Sequence, residues 1–228
     1  MARRRAKRYS GPMTKPVLFD YWRSSASYRV RIALNLKGVD YESVPVNLLE
    51  SAQKDPAYVA RNPQGFVPML EMDGLRLTQS LAIIDYLDAA LPEPRLIPEA
   101  AADRAHVLAL ALAVAADIHP VNNLRILQYL KAPLGHDQAE RDEWYRHWLR
   151  EGLAPLERLA APRAGRFLFG DRPSLADICL VPQLYNARRF EVPLDDYPTL
   201  VAADAEANRI DAFAAAHPDR VATAAPSA

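Results

Sequence analysis

The sequence predicts an α/β domain with a mixed sheet, followed by an all-helical domain. Residues 16–91 alternate short strand-like runs with helical ones, in the order βαβαββα. Residues 92–98 contain three prolines, and such a stretch is too rigid and too poor in backbone donors to be a helix or a strand. Beyond this linker we find no convincing strand pattern, and apolar residues recur at helical spacing.

The first strands and helix of the α/β domain follow from local patterns. Residues 17–21 form an apolar run, and residues 41–46 alternate apolar and polar side chains with a β-branched bias, so both segments predict strands. Between them Val30, Ala33 and Leu34 recur at helical spacing. These three segments predict a βαβ unit.

A hairpin and a closing helix complete the predicted first domain. A helix begins at Asp55-Pro56, and residues 69–72 and 75–77 are two short strands joined by an Asp73-Gly74 turn. The apolar face of the closing helix consists of Leu81, Ile84, Leu87 and Leu91.

The second half predicts long helices. Apolar residues recur at helical spacing from Val107 to Ile118 and predict one helix, and a second such pattern runs from Trp148 to Leu159. A third begins at Ser174, because a capping serine three residues before Asp177 forms an acidic variant of the capping box.

We expect five segments along the chain. They are a disordered basic arm at residues 1–13, the α/β domain at 14–92, the proline-rich linker at 93–99, the all-α domain at 100–221 and a frayed tail at 222–228. The arm carries five basic residues and no acidic one, and no apolar run follows it, so a secretory signal does not fit.

Composition excludes several classes of function. The 228 residues carry 28 basic and 28 acidic side chains, and residues 14–228 carry 23 basic against 28 acidic ones, so we expect no nucleic-acid partner. The one cysteine excludes an internal disulfide, a dithiol centre and a multi-cysteine metal site, and it suits a reducing cytoplasm. The longest apolar run, residues 107–116, is too short to span a membrane. We expect neither a bound metal nor a membrane partner.

Two helix starts and one turn are the candidate functional features. Ser24, Ser25 and Ser27 cluster at the start of the first helix, where free backbone amides and the helix dipole favour an anion. A simple helix cap is the alternative explanation of these serines.

The turn and the second helix start lie further along the α/β domain. Val67-Pro68 precedes the third strand, and a cis bond there would turn the Val67 amide and carbonyl outward to bind an extended peptide. Gln79-Ser80 opens a second helix able to hold a carboxylate. An ordinary trans turn and a simple cap are the alternatives. Together the three features suit a small peptide that carries carboxylates and a thiol.

These motifs, the order of elements and the proline linker resemble the cytosolic glutathione transferases. More narrowly, residues 24–34 read Ser-Ser-Ala-Ser-Tyr-Arg-Val-Arg-Ile-Ala-Leu and resemble the signature of the zeta-class glutathione transferase and maleylacetoacetate isomerase family. That signature has a cysteine where this chain has Ala26. Further similar stretches lie at residues 79–84, 118–125, 176–183 and 186–190. The resemblance implies a thioredoxin-like first domain that binds glutathione.

The resemblance also implies an activity. It is the glutathione-dependent cis-trans isomerisation of maleylacetoacetate in tyrosine and phenylalanine degradation, by reversible addition of a thiolate to the cis double bond. The alternatives are a maleylpyruvate isomerase and a general glutathione transferase acting on small electrophilic or halogenated acids. A non-catalytic ligand-binding or interaction module on the same fold is a further alternative. The resemblance further implies that the protein forms a homodimer and that its substrate is a small acidic keto acid.

Site residues follow position by position from the resemblance. Ser24, the preferred choice, and Ser25 would donate hydrogen bonds to the glutathione thiolate, and Arg189 would act in catalysis by holding a substrate carboxylate. Arg23 is a second substrate-binding residue, and a surface position is the alternative for both arginines. His119 approaches glutathione or is a satisfied core histidine, and Cys179 is a core residue. The expected glutathione-binding residues are Ser24, Ser25, Ala26, Ser27, Tyr28, Arg29, Val67, Pro68, Gln79, Ser80, His119, Asn123, Leu124 and Arg125.

Overall fold

The computed structural model describes residues 15–224, so the predicted basic arm at residues 1–13 lies outside the described residues. The first domain has the predicted order of elements. Two short 3₁₀ turns, Leu48–Glu50 and Ala52–Lys54, follow its second strand. Its strands and helices are β1 (Val17–Asp20), α1 (Ser25–Leu36), β2 (Glu42–Pro45), α2 (Pro56–Val59), β3 (Met69–Met72), β4 (Leu75–Thr78) and α3 (Ser80–Ala90).

The four strands form one mixed sheet in the order β2-β1-β3-β4. β1 pairs in parallel with β2 and antiparallel with β3, and β3 and β4 form the predicted hairpin. The turn residues Asp73 and Gly74 both have positive φ, 55° and 76°, which gives a two-residue turn the twist that an antiparallel pair needs. The prediction of a mixed sheet is confirmed.

The second domain is helical, as the sequence predicts. A π-helical turn, Ala113–Ile118, connects the first two of its helices. The last helix ends at Ala224, within the segment predicted as a frayed tail, and residues 225–228 lie outside the described residues. The helices are α4 (Ala101–Leu112), α5 (His119–Val121), α6 (Leu124–Lys131), α7 (Gln138–Ala160), α8 (Leu175–Arg189), α9 (Pro198–Ala207), α10 (Asp211–Ala216) and α11 (Pro218–Ala224).

The start of α8 has the capping box that the sequence predicts. Ser174 Oγ accepts from the Ala176 amide at 3.2 Å, and the Asp177 carboxylate accepts from the Ser174 amide at 2.8 Å. Asp177 is fully buried, and its burial raises the pKa of this carboxyl to about 6. The cap fixes where α8 begins and therefore which side chains its far end presents to the first domain.

One continuous hydrophobic core runs through both domains. The helical stretch Ala101–Lys131 is long and apolar enough, by length and composition, to cross a membrane. Its residues Val107, Leu110 and Val114 are buried in the core.

The linker is held to the first domain by a buried lysine. Lys37 Nζ donates to the Asp88 carboxylate at 2.7 Å and to the carbonyls of Leu91 and Pro94 at 2.6 Å each. Asp88 in turn accepts from the Leu96 amide at 2.8 Å. Because the lysine side chain is fully buried, these bonds satisfy a charge that would otherwise be costly.

Replacing Lys37 by methionine should destabilise the protein strongly. The change removes the buried lysine from the Asp88 carboxylate and leaves Arg95 Nη1, 3.8 Å away, as the remaining cation beside it. Removing one partner of a buried ion pair costs about 3 to 5 kcal/mol. Urea unfolding followed by circular dichroism measures the loss. Lys15→Met is the matched control, because Lys15 pairs with Asp40 on the surface and such a pair contributes about 0 to 1 kcal/mol. Equal losses of unfolding free energy in the two variants would contradict the conclusion that buried Lys37 holds the linker to the first domain.

Candidate functional site

A buried ion pair fixes the turn between β1 and α1. Arg31 Nη1 lies 2.8 Å from both carboxylate oxygens of Asp20, and Arg31 Nη2 donates to the carbonyl of Trp22 at 2.8 Å. Arg31 Nε donates to the carbonyl of Ala216 in α10 at 3.1 Å. The turn is therefore held to β1, α1 and the C-terminal helices before the chain reaches the serines.

Both serines at the start of α1 accept hydrogen bonds through their oxygens. Ser24 is the N-cap, and its Oγ accepts from the Ser27 amide at 3.3 Å. Ser25 is buried, and its Oγ accepts from Asn186 Nδ2 at 2.6 Å. A hydroxyl that accepts through its oxygen still has its hydrogen to donate. The capping role of Ser24 is thus compatible with donation to a ligand.

A cleft of about 910 Å³ lies between the two domains in front of these serines. Residues of both domains line it, and most of the predicted site residues are among them. These are Arg23, Ser24, Ser25, Ala26, Arg29, Val67, Pro68, Gln79, Ser80, His119, Asn123, Leu124, Arg125 and Arg189.

Ser27 and Tyr28, two of the predicted glutathione-binding residues, are not among the residues that line the cleft. Ser27 is two residues beyond Ser25, so its side chain is about 200° further around the helix and leaves the face that carries Ser25. Ser27 and Tyr28 are both fully buried, and the Tyr28 ring packs edge-on against Tyr185 and His217 with centroids 6.5 and 6.1 Å apart. Both side chains contribute to packing.

The turn before β3 and the start of α3 form the opposite wall. The Val67-Pro68 bond is cis, as the sequence predicts. Gln79 has a positive φ of 67°, and its Nε2 donates to Gln64 Oε1 at 2.9 Å. Ser80 is the first residue of α3, and its Oγ accepts a hydrogen bond from Arg29 Nη1 at 3.4 Å.

Arg29 is a buried cation with unsatisfied donors. Only 2% of the residue is exposed, and its Nε and Nη2 lack a hydrogen-bond partner within the described structure. Burial lowers the pKa of this guanidinium, which reflects the cost of removing the charge from water. Because Arg29 lines the cleft, an anionic ligand there would satisfy it.

All the arginine, lysine, aspartate and glutamate side chains that line the cleft within the described residues are cations. Within the described residues five arginine or lysine side chains line it, and none of its lining residues is an aspartate or a glutamate. Residues 14–228 as a whole carry more acidic than basic side chains, so the cleft departs from the rest of the protein. This distribution suits a ligand with several carboxylates. The five cations are Arg23, Arg29, Lys54, Arg125 and Arg189.

His119 lies on the second-domain wall of the cleft in a neutral state. Burial and the positive charge of Arg29 lower the pKa of His119 to about 3. At neutral pH its ring therefore has one N–H to donate and one nitrogen to accept. His119 lines the cleft and is also desolvated by burial, so its position is compatible with both predicted roles, approach to glutathione and a core histidine.

The two arginines at the end of α8 point in different directions. Arg188 pairs with the buried Asp204 carboxylate at 2.6 Å, outside the cleft lining. Arg189 is exposed, and its guanidinium lies 4.7 Å from the centroid of the Phe190 ring and 3.5 Å from Asn186 Oδ1. Arg189 therefore faces the cleft, as predicted.

Asn186 is a site residue that the sequence interpretation missed. It is buried, lines the cleft and contacts both Ser25 and Arg189. Its spacing of three residues from Arg189 was the available signal, because residues three apart share a helix face.

The described part of the chain has no cluster of side chains suited to binding a metal ion. Residues 15–224 contain no group of three or more histidine, cysteine, aspartate or glutamate side chains that could hold a metal ion. Cys179 is fully buried, and its burial raises the pKa of the thiol to about 11.

Family models match both halves of the chain. Residues 15–89 match the glutathione S-transferase N-terminal domain, and residues 138–205 match the glutathione S-transferase C-terminal domain. Together with the fold and the cleft, these matches show that the chain belongs to the glutathione S-transferase family.

Its relatives place it in the zeta class of that family. It is 57% identical to the maleylacetoacetate isomerase of Rhizobium meliloti (strain 1021), over 90% of this chain and 96% of the relative. A holo structure of a bacterial zeta-class maleyl pyruvate isomerase is 46% identical, with a TM-score of 0.87 over 90% of this chain and 97% of that one. A maleylacetoacetate isomerase structure from Anaeromyxobacter dehalogenans 2CP-1, with bound glutathione in its active site, is 45% identical, with a TM-score of 0.82 over 91% and 96%.

The neutral His119 should make the protein sensitive to mild acid. Its pKa is about 3 in the fold and near 6.5 in the unfolded chain, so the unfolded state binds more protons as pH falls below about 6.5. Between pH 7 and pH 5 this costs about 2 kcal/mol of stability. His119→Gln should remove that part of the pH dependence, as measured by urea unfolding at both values.

His136→Gln is the matched control, because His136 is exposed next to α7. It should leave the pH dependence of the wild type intact. A His119→Gln variant with the same loss of stability between pH 7 and pH 5 as the wild type would contradict a neutral, buried His119.

Proposed function

We propose that this protein is a glutathione-dependent isomerase that converts maleylacetoacetate to fumarylacetoacetate in tyrosine and phenylalanine degradation. One observation carries the proposal: two serine hydroxyls stand at a helix N-terminus inside a cleft lined by five cations and no carboxylate among the described residues. The identity to maleylacetoacetate isomerases supports the same activity.

The cleft fits glutathione, which carries two carboxylates, a peptide backbone and a thiol. Arg29 has unsatisfied donors on the cleft floor beside Ser80, where they can meet the γ-glutamyl carboxylate. Val67 and Pro68 line the cleft directly before β3, where an extended peptide would pair with their backbone. When bound, glutathione supplies a thiolate that adds reversibly to a cis double bond conjugated to a carbonyl and leaves after rotation.

Ser24 and Ser25 favour the thiolate over the thiol. A free thiol has a pKa of about 8.5 and is only about 3% ionised at pH 7. Hydroxyl donors and a helix N-terminus stabilise the anion, and a drop of two units corresponds to about 2.7 kcal/mol. Neither serine acts as a base; each donates a hydrogen bond.

Arg189 and Arg23 hold the two ends of the acidic substrate. Both line the cleft from opposite domains, Arg189 from α8 and Arg23 from the turn before α1. A guanidinium can bind a carboxylate through two parallel hydrogen bonds, which orients a flexible keto acid.

Maleylpyruvate is the second candidate substrate. The zeta-class maleyl pyruvate isomerase shares the fold over nearly the whole chain, and the same chemistry on a shorter acid needs the same cations. A transferase activity toward electrophilic or halogenated acids would use the same thiolate. The presence of Ser24, Ser25, Val67-Pro68 and Gln79-Ser80 in the cleft lining argues against a purely non-catalytic interaction module. We further propose that the protein works in the cytoplasm as a homodimer.

Isomerisation assays test the proposal directly. Purified protein should isomerise maleylacetoacetate faster than maleylpyruvate, and only with glutathione present. Ser24→Ala and Ser25→Ala, singly and together, should lower both turnover and the ultraviolet absorbance of the bound thiolate, because the anion loses its donors. Turnover without glutathione, or unchanged thiolate absorbance in the double variant, would overturn the mechanism.

Arg189→Ala should lower kcat/KM about 10-fold to 150-fold, since a hydrogen bond to a charged group contributes about 1.5 to 3 kcal/mol. Arg189→Lys should also lower kcat/KM substantially, because an ammonium group cannot form the two parallel hydrogen bonds that a guanidinium forms with a carboxylate. Glutathione affinity should change little in both variants.

Arg188→Ala is the neighbouring control. It should lower the melting temperature, because Asp204 loses its partner, and leave the dependence on substrate concentration unchanged. Equal losses of kcat/KM in the two alanine variants would show that Arg189 does not hold the carboxylate.

A further inference from the structure

Asn186 connects two parts of the cleft that come from different domains. It lies on α8 and is 5% exposed. Its Nδ2 donates to Ser25 Oγ on α1 at 2.6 Å, and its Oδ1 accepts from Arg189 Nη1 at 3.5 Å. One amide therefore contacts a serine of the thiolate site and the arginine of the substrate site.

The chemistry of Arg189 determines which way the amide faces. A guanidinium only donates hydrogen bonds, so the oxygen of Asn186 must face it. The Nδ2 group of Asn186 then faces Ser25 and donates to it. Because the Ser25 oxygen is occupied as an acceptor, its hydrogen is left to point away from α8.

We propose that Asn186 is a positioning residue for the glutathione thiolate. By donating to Ser25 Oγ it orients the serine hydroxyl so that the hydrogen points into the cleft, toward the sulfur. By accepting from Arg189 it couples this orientation to the arginine that holds the substrate carboxylate. This inference rests on the proposed function and adds to it a residue that acts through Ser25.

The effect of a substitution at position 186 depends on the charge of the new side chain, because cationic groups line the cleft. The charged and titratable groups that line the cleft with Asn186 come from both domains. They are Tyr21, Arg23, Arg29 and Lys54 from the first domain, and His119, Arg125, Tyr129, Tyr145 and Arg189 from the second. None of the described lining residues is a carboxylate. A carboxylate at position 186 would accept the hydrogen of Ser25 and place a negative charge beside the sulfur.

The test compares the pKa of the bound thiol in three proteins. Glutathione complexes of the wild type, Asn186→Ala and Asn186→Asp are titrated with pH, and the ultraviolet absorbance of the thiolate is followed. Asn186→Ala should raise this pKa by about one unit, equivalent to about tenfold less thiolate below the pKa. Asn186→Asp should raise it further, because the serine hydrogen is diverted and a like charge is added.

An added carboxylate raises the thiol pKa by its charge alone, so the separation of positioning from a structural role rests on the Ser25→Ala background. Aspartate keeps the size of asparagine and pairs more strongly with Arg189, so it carries the test if the alanine variant does not fold. The shift that Asn186→Asp produces should be smaller in the Ser25→Ala background, because no serine hydrogen remains to be diverted, and an equal shift would overturn the proposal.

Asn35→Ala is the matched control for lost contact between the domains. Asn35 lies near the other end of α1 and donates through Nδ2 to the carbonyl of Ala212 at 2.9 Å. Its loss should lower the melting temperature without moving the thiol pKa. A shift in Asn35→Ala equal to that in Asn186→Ala would assign the effect to domain packing and overturn the proposal.

The Ser25→Ala background identifies the route of the effect. Once the hydroxyl is gone, adding Asn186→Ala should not shift the thiol pKa further, and an undiminished shift would overturn the route through Ser25. A wild type that ionises glutathione and isomerises substrate, with unshifted Asn186 variants, would refute only this inference. A wild type without glutathione-dependent turnover would refute the proposed function itself.

Discussion

The ion pair between Asp20 and Arg31 is the interaction on which the site depends. It joins the last residue of β1 to the middle of α1, and the same guanidinium holds the carbonyls of Trp22 and Ala216. The turn that precedes the serines is therefore fixed at both ends and from the C-terminal helices. A buried pair is a poor source of net stability but an effective source of specificity when all its donors are satisfied. Here it sets the position of the α1 N-terminus.

Two residues away on the same helix, Arg29 has the opposite character. Arg31 is satisfied within the protein, whereas Arg29 keeps Nε and Nη2 without partners on the cleft floor. Burying the charge of Arg29 without partners costs free energy, and an anionic ligand bound in the cleft would offset that cost. This contrast distinguishes an arginine that builds the site from one that serves it, although both are equally buried.

The sequence predicted those features that are written in local chemistry. The Asp73-Gly74 turn, the proline before β3, the cap at Ser174 and the serines at a helix start each follow from a few neighbouring residues. The contact between Asn186 and Ser25 joins positions 161 residues apart and has no local signal. Ser27 and Tyr28 were included because of the similar stretch at residues 24–34. Because α1 is buried on most of its surface, no polar face of the helix indicates which of these residues meet the cleft.

The position of the single cysteine limits the chemistry that the cleft can perform. The zeta-class signature has a cysteine at position 26, and here Ala26 lines the cleft without a thiol. Cys179 lies fully buried in α8, where burial raises its pKa to about 11, so it is neither accessible nor ionised at neutral pH. The chain therefore has no thiol of its own for exchange with a disulfide. Any sulfur chemistry in the cleft must come from the bound peptide, and such chemistry suits reversible addition and release better than a protein-bound mixed disulfide.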